Sequence, residues 1–234
     1  MNALDNLCPH CGVAFAKTPQ RKTKCRTCGN FVVVRTDPDS RKRLLVTEAQ
    51  AQEIERRWSQ KSLYSRVVRT DRPGFAEERE MLARKFGGPP RDTDVLWSLL
   101  NKERLRHASE QKWGLYRNAT LDMGDVLRVE NRPKDAARFF LEVCYLDLNN
   151  PTNYGPMPYP ELQARFPRWQ ADPNGLASGV LGLIDTVADE AELSIEALHD
   201  IFMQEAKRNH QSLDLPLSSE DAWQILRTKL TTPS

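Results

Sequence analysis

"CPHCGVAFAKTPQRKTKCRTCG", residues 8–29, decides how the front of this 234-residue chain folds. It holds two Cys-x-x-Cys-Gly pairs, Cys8/Cys11 and Cys25/Cys28, with 13 residues between them. Two residues between paired cysteines let both sulfurs turn onto one ion while backbone amides of the knuckle point at them. Gly12 and Gly29, each directly after the second cysteine of its pair, suit the positive φ that such a knuckle needs. Four soft thiolates select zinc over hard cations, so Cys8, Cys11, Cys25 and Cys28 are expected to hold one structural Zn2+. A four-thiolate set leaves no open position for water, and Lewis-acid chemistry is not expected of it. In so short a segment the metal supplies folding free energy that a hydrophobic core cannot.

Working outward, the doubled motif argues against a redox dithiol, which needs only one pair. His10, inside the first knuckle, reads as a solvent-facing side chain. Cys144, far from the others, reads as a small apolar group in a helical core. Five cysteines, four of them close together in a chain of this size, are no disulfide framework, and a reducing, cytoplasmic setting is expected. The opening "MNALDNLCPH" lacks a basic start and a hydrophobic run, so it does not read as a secretory signal. No apolar stretch is long enough for a membrane span.

The net charge of +2 hides an uneven distribution. Residues 1–47 carry 9 Lys/Arg against 3 Asp/Glu, whereas residues 151–234 carry 6 against 12. The head is basic and the tail acidic, a split that suits contact with nucleic acid at the front, although basic faces also meet acidic proteins. The cations expected to meet phosphates are Lys17, Arg21, Lys22, Lys24, Arg26, Arg35, Arg41, Lys42 and Arg43. Such contact would be salt-sensitive and largely blind to sequence. Part of this charge answers the metal site itself, since four thiolates around one divalent ion carry a net −2. Phe15 and Phe31 are available for stacking on bases, with Phe31 assigned to the small core.

Residues 1–46 are expected to form two hairpins: the cysteine segment, then "FVVVRT" and "RLLVT" joined by "DPDSRK". Thr47 opens a helix, with Gln50 completing a capping box and Ala49, Ile54 and Trp58 near helical spacing. From there on the pattern is helical. "FAEEREMLARKFGG" is a short amphipathic helix stopped by a Gly pair. "VLWSLLNKERLRHASEQKWGLY" puts Val95, Leu96, Leu99 and Leu100 on one face, with an interruption expected near Gly114. "NNPTNYGPMPYPELQARFPRW" reads as a loop over the surface or a hinge. Helices follow over Leu176 to about Ala191, about Ile195 to Asn209, and after Ser218 to about Leu230. The expected organisation is therefore a ribbon and hairpin over 1–46, a helical domain over 47–150, a Pro/aromatic loop over 151–175, and C-terminal helices over 176–234 packing on the helical domain.

The four cysteines resemble, position by position, the ligands of the zinc-ribbon family, in which two knuckles at the ends of short hairpins share one ion. A single iron of the rubredoxin kind uses similar knuckles and stays open. With "KTKCRTCGNFVVVRT" and "LVTEAQAQEIERRW", the front also looks like small zinc-ribbon proteins often encoded by bacteriophages and prophages, which brings no assigned activity. "LDMGDVLRVENRPKDAARFFLEVCYLDLNN", residues 121–150, resembles a single tetratricopeptide unit: Met123 and Gly124, Leu127, Ala136 and Phe140 fall at its signature positions. Val143 and Leu148 depart from the pattern, and no second copy follows. That resemblance implies a pair of packed helices, with peptide binding as one use.

No phosphate-binding glycine loop and no H-E-x-x-H motif exists; the histidines stand at 10, 107, 199 and 210. Asp185, Asp189, Glu192, Glu196 and Asp200 recur at helical spacing, but Ser194 restarts the helix and a solvated face is expected. Trp58, Trp97, Trp113, Trp169 and Trp223 read as packing residues. The expectation is a small β zinc module followed by an all-α body, non-enzymatic, binding DNA or RNA through the front while the helices recruit a partner or dimerise. The alternative is a protein-binding adaptor in which the ribbon is structural.

Overall fold

The computed structural model describes residues 6–231, except the side chains of residues 210–212. The first five residues, where the signal reading falls, and the His210 side chain lie outside the described residues. The chain divides into two compact units, residues 1–66 and 67–234.

The first unit is a three-stranded antiparallel sheet in the order β1 (Thr23–Lys24), β2 (Phe31–Thr36), β3 (Arg43–Val46), followed by helix α1 (Glu48–Val67). An isolated Leu7–Ala14 bridge closes the first knuckle. The two expected hairpins are therefore linked: the second knuckle shares β2 with the "DPDSRK" hairpin. Strand alternation sorts the side chains. Val32 and Leu45 pack on the cysteines with Phe15, while Val33, Leu44 and Val46 on the other face pack against Ala51, Ile54 and Trp58 of α1. Ala49, expected on the packed stripe, is exposed, and Ala51 takes its place.

The β2–β3 turn and α1 hold each other. Asp37 Oδ1 accepts from the Asp39 amide (3.1 Å), the Ser40 amide (2.8 Å) and the Ser40 hydroxyl (2.9 Å). Arg57 donates to Asp37 (2.9 Å) and pairs with Asp39, Lys61 donates to the Pro38 carbonyl (2.9 Å), and Trp58 Nε1 donates to the Thr36 carbonyl (2.7 Å). The capping box at the start of α1 is present: Gln50 N donates to Thr47 Oγ1 (3.2 Å) and Thr47 N to Gln50 Oε1 (3.0 Å). Although the sequence suggests a boundary before Thr47, this helix packs on the hairpin, and the first unit runs through Arg66.

The second unit is helical: α2 (Phe75–Phe86), α3 (Asp92–Ser109), α4 (Trp113–Val129), α5 (Pro133–Leu148), α6 (Pro160–Arg165), α7 (Ser178–Glu190), α8 (Ile195–Leu213) and α9 (Ser219–Thr231). Helix α5 is its centre, with Ala136, Ala137, Phe140, Leu141, Val143, Cys144, Tyr145 and Leu148 at 0 % exposure. It packs on α4, α7, α8 and α9, and α4 packs on α3. Among the described residues, five helices are followed by a non-glycine residue in the left-handed region, and three of these ends close alike: Gln111 (φ 54°), Asn131 (φ 58°) and Glu192 (φ 51°). The following amides close back on the helix as 6→1 bonds, Lys112 to His107, Arg132 to Leu127 and Leu193 to Ala188, each 2.9 Å. The interruption expected near Gly114 thus falls at Gln111. Gly114 itself lies inside α4, where a Cβ would sit 2.9 Å from the Asn153 side chain.

The Pro/aromatic segment is laid over the helix ends. Thr152 O accepts from the Trp113 and Gly114 amides (2.9 and 3.2 Å) and Asn153 Oδ1 from the Leu115 amide (2.9 Å), capping α4 from outside. Trp169 stacks on Trp113 with centroids 5.3 Å apart. No helix among the described residues is long and apolar enough to cross a membrane.

Candidate metal centre and the basic face around it

The two knuckles are built alike. Cys8 N donates to Val13 O and Cys25 N to Asn30 O, both 2.8 Å, while Gly12 N and Gly29 N return to the Cys8 and Cys25 carbonyls, both 2.9 Å. That closure forces the glycines to φ 72° and 73°, where a side chain would be strained. The sulfurs of Cys8, Cys11, Cys25 and Cys28 lie within 4.8 Å of one another, with Cys8–Cys28 at 3.7 Å and Cys11–Cys25 at 3.8 Å. A tetrahedron with metal–sulfur bonds of about 2.3 Å has edges of about 3.8 Å, so these two pairs match what one small ion requires and no pair lies farther apart than 4.8 Å. Cys8 and Cys25 are buried, Cys28 is half-buried and Cys11 is exposed.

The surroundings of the four thiols would favour a cation among them. The Cys28 amide above all, helped by the Thr27 amide against the effect of burial, draws the Cys25 thiol down to about 6. Cys11 is pushed up to about 12, because the Val13 amide favours its thiolate but burial and the other three sulfurs together outweigh it. Amide donors thus favour a thiolate at Cys25 while burial and the neighbouring sulfurs oppose one at Cys11, an opposition that a cation among them would relieve. A zinc ion bound here would be a closed structural centre. Elsewhere, burial pushes the Cys144 thiol up, as befits an inert core residue. Among the described residues the cysteine tetrad is the one group gathered at ligand distance, so the stripe from Asp185 to Asp200 does not assemble. His10 is exposed, its ring nitrogen 3.1 Å from the Phe31 carbonyl.

The nine cations expected at a phosphate interface fall into two groups. Four are engaged within the unit. Lys22 pairs with Glu48, Arg35 with Glu55 (2.6 Å), Arg43 donates to the Gln20 side chain (2.7 Å), and the Arg41 guanidinium lies 4.7 Å from the Trp58 ring centroid. Lys17, Arg21, Lys24, Arg26 and Lys42 are exposed and have no carboxylate partner among the described residues.

Phe31, assigned to the core by sequence, is 47 % exposed, and half-buried Phe15 fills the core instead. The alternation of β2 explains it: Val32 packs on the cysteines, so Phe31 faces away from them, and it is not part of the cluster that Val33 and Val46 form with α1. Its neighbours are cations. Lys24 is its partner across the β1–β2 pair and so shares its face, and Lys22 Nζ stands 4.8 Å from the ring centroid. The strand's own period carried this signal once Val32 was fixed inward. Comparison of the chain with protein-family models, curated proteins and solved structures finds no match.

Proposed function

We propose that the first unit is a zinc ribbon that binds nucleic acid in an accessory, non-catalytic role, while the helical unit serves a partner or a second copy. The observation that carries this reading is the set of exposed cations at Lys17, Arg21, Lys24, Arg26 and Lys42, which have no carboxylate partner among the described residues and outnumber the net −2 of a loaded four-thiolate centre. Flexible cations of this kind release counterions on meeting a polyanion, which gives affinity that falls steeply with salt. The adaptor reading has less support from the tetratricopeptide-like hairpin, because α5 is wrapped by α4, α7, α8 and α9 and offers no open groove.

The test uses the full chain. Elemental analysis is expected to find one zinc per chain in reducing buffer, in a colourless protein, since thiolate-bound iron would absorb visible light. Fluorescence anisotropy with labelled oligonucleotides at about 50 and 200 mM salt is expected to show a loss of binding with salt of ten-fold or more. The double variant Arg21→Glu/Lys24→Glu is expected to retain zinc and lose binding. Unchanged binding by that variant, or none by the native chain at low salt, would overturn the proposal.

A further inference from the structure

The geometry points to single-stranded nucleic acid as the ligand of this face, with one base stacked on Phe31 and the neighbouring phosphates held by Lys22 and Lys24; this rests on the nucleic-acid reading above. Three observations carry it. First, Phe31 is an aromatic ring left 47 % exposed at the start of a central strand, where the neighbouring Val32 is fully buried. Secondly, the residues flanking the ring are both lysines on the same sheet face, one over the ring and one across the strand pair. Thirdly, Lys22 is held by Glu48, an exposed carboxylate that offers the oxygens a phosphate would offer. An exposed ring with a cation over it suits an unstacked base with its phosphate once Lys22 swings from the ring to that phosphate, since every base has a face to stack and no edge need be read. A duplex keeps its bases inside the stack and offers this ring only sugar and phosphate. Arg21 and Arg26 flank the two lysines in sequence and extend the cationic track.

Glu48 has a second consequence. Because it neutralises Lys22 in the free protein, a phosphate must displace it. Removing its charge is therefore expected to tighten binding, whereas the pair itself is too exposed, at 53 % and 60 %, to matter much for folding.

The experiment titrates the zinc-loaded full chain with labelled dT20, rU20 and a 20-base-pair DNA duplex at two salt concentrations. Both single strands are expected to bind more tightly than the duplex. Phe31→Ala is expected to weaken single-strand binding roughly ten-fold, leaving duplex affinity and the salt slope unchanged. Phe31→Leu, which keeps apolar bulk on the strand, should behave like Phe31→Ala, and zinc content reports folding of both variants. Glu48→Gln is expected to raise single-strand affinity several-fold. A preference of dT20 over rU20 or the reverse assigns the sugar, with either order supporting the inference. If binding is salt-dependent but equal for duplex and single strands, or if Phe31→Ala and Phe31→Leu bind as the native chain does, the inference fails while the nucleic-acid reading stands. Absence of binding to all three probes at low salt removes both.

Discussion

Gly124 on α4 faces the ring of Phe140 on α5, and replacing it with alanine tests how the helical unit is packed. A Cβ at position 124 would lie 2.4 Å from Phe140 Cε1, 2.9 Å from Cδ1 and 3.0 Å from Cζ. Carbon atoms pack at about 3.5–4.0 Å, so the closest overlap exceeds about 1 Å. The ring cannot swing away, because Phe140 is fully buried between α4 and the C-terminal helices. Overpacking of this kind costs about 1–3 kcal/mol, and the size of the overlap puts Gly124→Ala near the upper figure. Alanine's better helix propensity offsets about 1 kcal/mol, leaving a net loss of about 2 kcal/mol. In Phe140→Leu the ring is gone, and the same Gly124→Ala change should be neutral or stabilising by up to about 1 kcal/mol. The coupling between the two sites is then about 2–3 kcal/mol, within the range for residues in direct contact. Urea unfolding followed by far-UV circular dichroism reads it as a midpoint shift of about 1 M in the native background, for a slope of about 2 kcal/mol/M. Equal destabilisation in both backgrounds, or a Gly124→Ala protein as stable as the native one, would refute the close approach of α4 and α5.

Glu142 is 6 % exposed at its side chain and accepts from Arg104 (2.7 Å) and Tyr116 (2.9 Å), so Glu142→Ala strands a half-buried guanidinium. It is expected to cost about 3 kcal/mol in the same urea assay, with Glu142→Gln recovering part of the loss. At the helix ends, Gln111→Gly and Glu192→Gly relieve left-handed strain and should each stabilise the second unit by up to about 1 kcal/mol. For pH, burial first and then Arg106 hold His107 below its ordinary value near 6.5, so the unfolded chain takes up a proton that the folded one refuses. Stability should therefore fall as pH drops below about 6.5, and the slope should flatten in His107→Gln when midpoints are compared between pH 7.5 and 5.5. A chelator strong enough to strip zinc should unfold the two knuckles, residues 7–30, while the second unit keeps its helical signal, because the cysteine face buries only Val32 beside Cys8 and Cys25.

How much of this was legible in the sequence follows from which interactions are local. The knuckles, the Thr47 capping box and the bounds of α7 and α9 are set within a few residues and could be read directly, whereas α8 runs to Leu213, four residues past the expected Asn209. The helix break at Gln111 could not, because glycine is the expected left-handed residue and Gly114 drew the attention, while the real stop uses a strained glutamine closed by the Lys112 amide. The fate of the nine cations was equally hidden. Lys22 meets Glu48 and Arg35 meets Glu55 only because α1 folds back on the sheet, a tertiary event at separations of 26 and 20 residues.

Phe31 shows the same limit at the candidate site. In "GNFVVVRT" four consecutive apolar residues give no alternation to follow, so nothing local says which of them faces water. Once the sulfurs fix Val32 on the inner face, Phe31 and Val33 must share the other. Val33 joins the cluster with α1 and Phe31 does not, so one large apolar ring stays half in solvent beside Lys22 and Lys24. Its place beside Lys22 and Lys24 is what the single-strand proposal rests on, and charge alone would not have singled out this face.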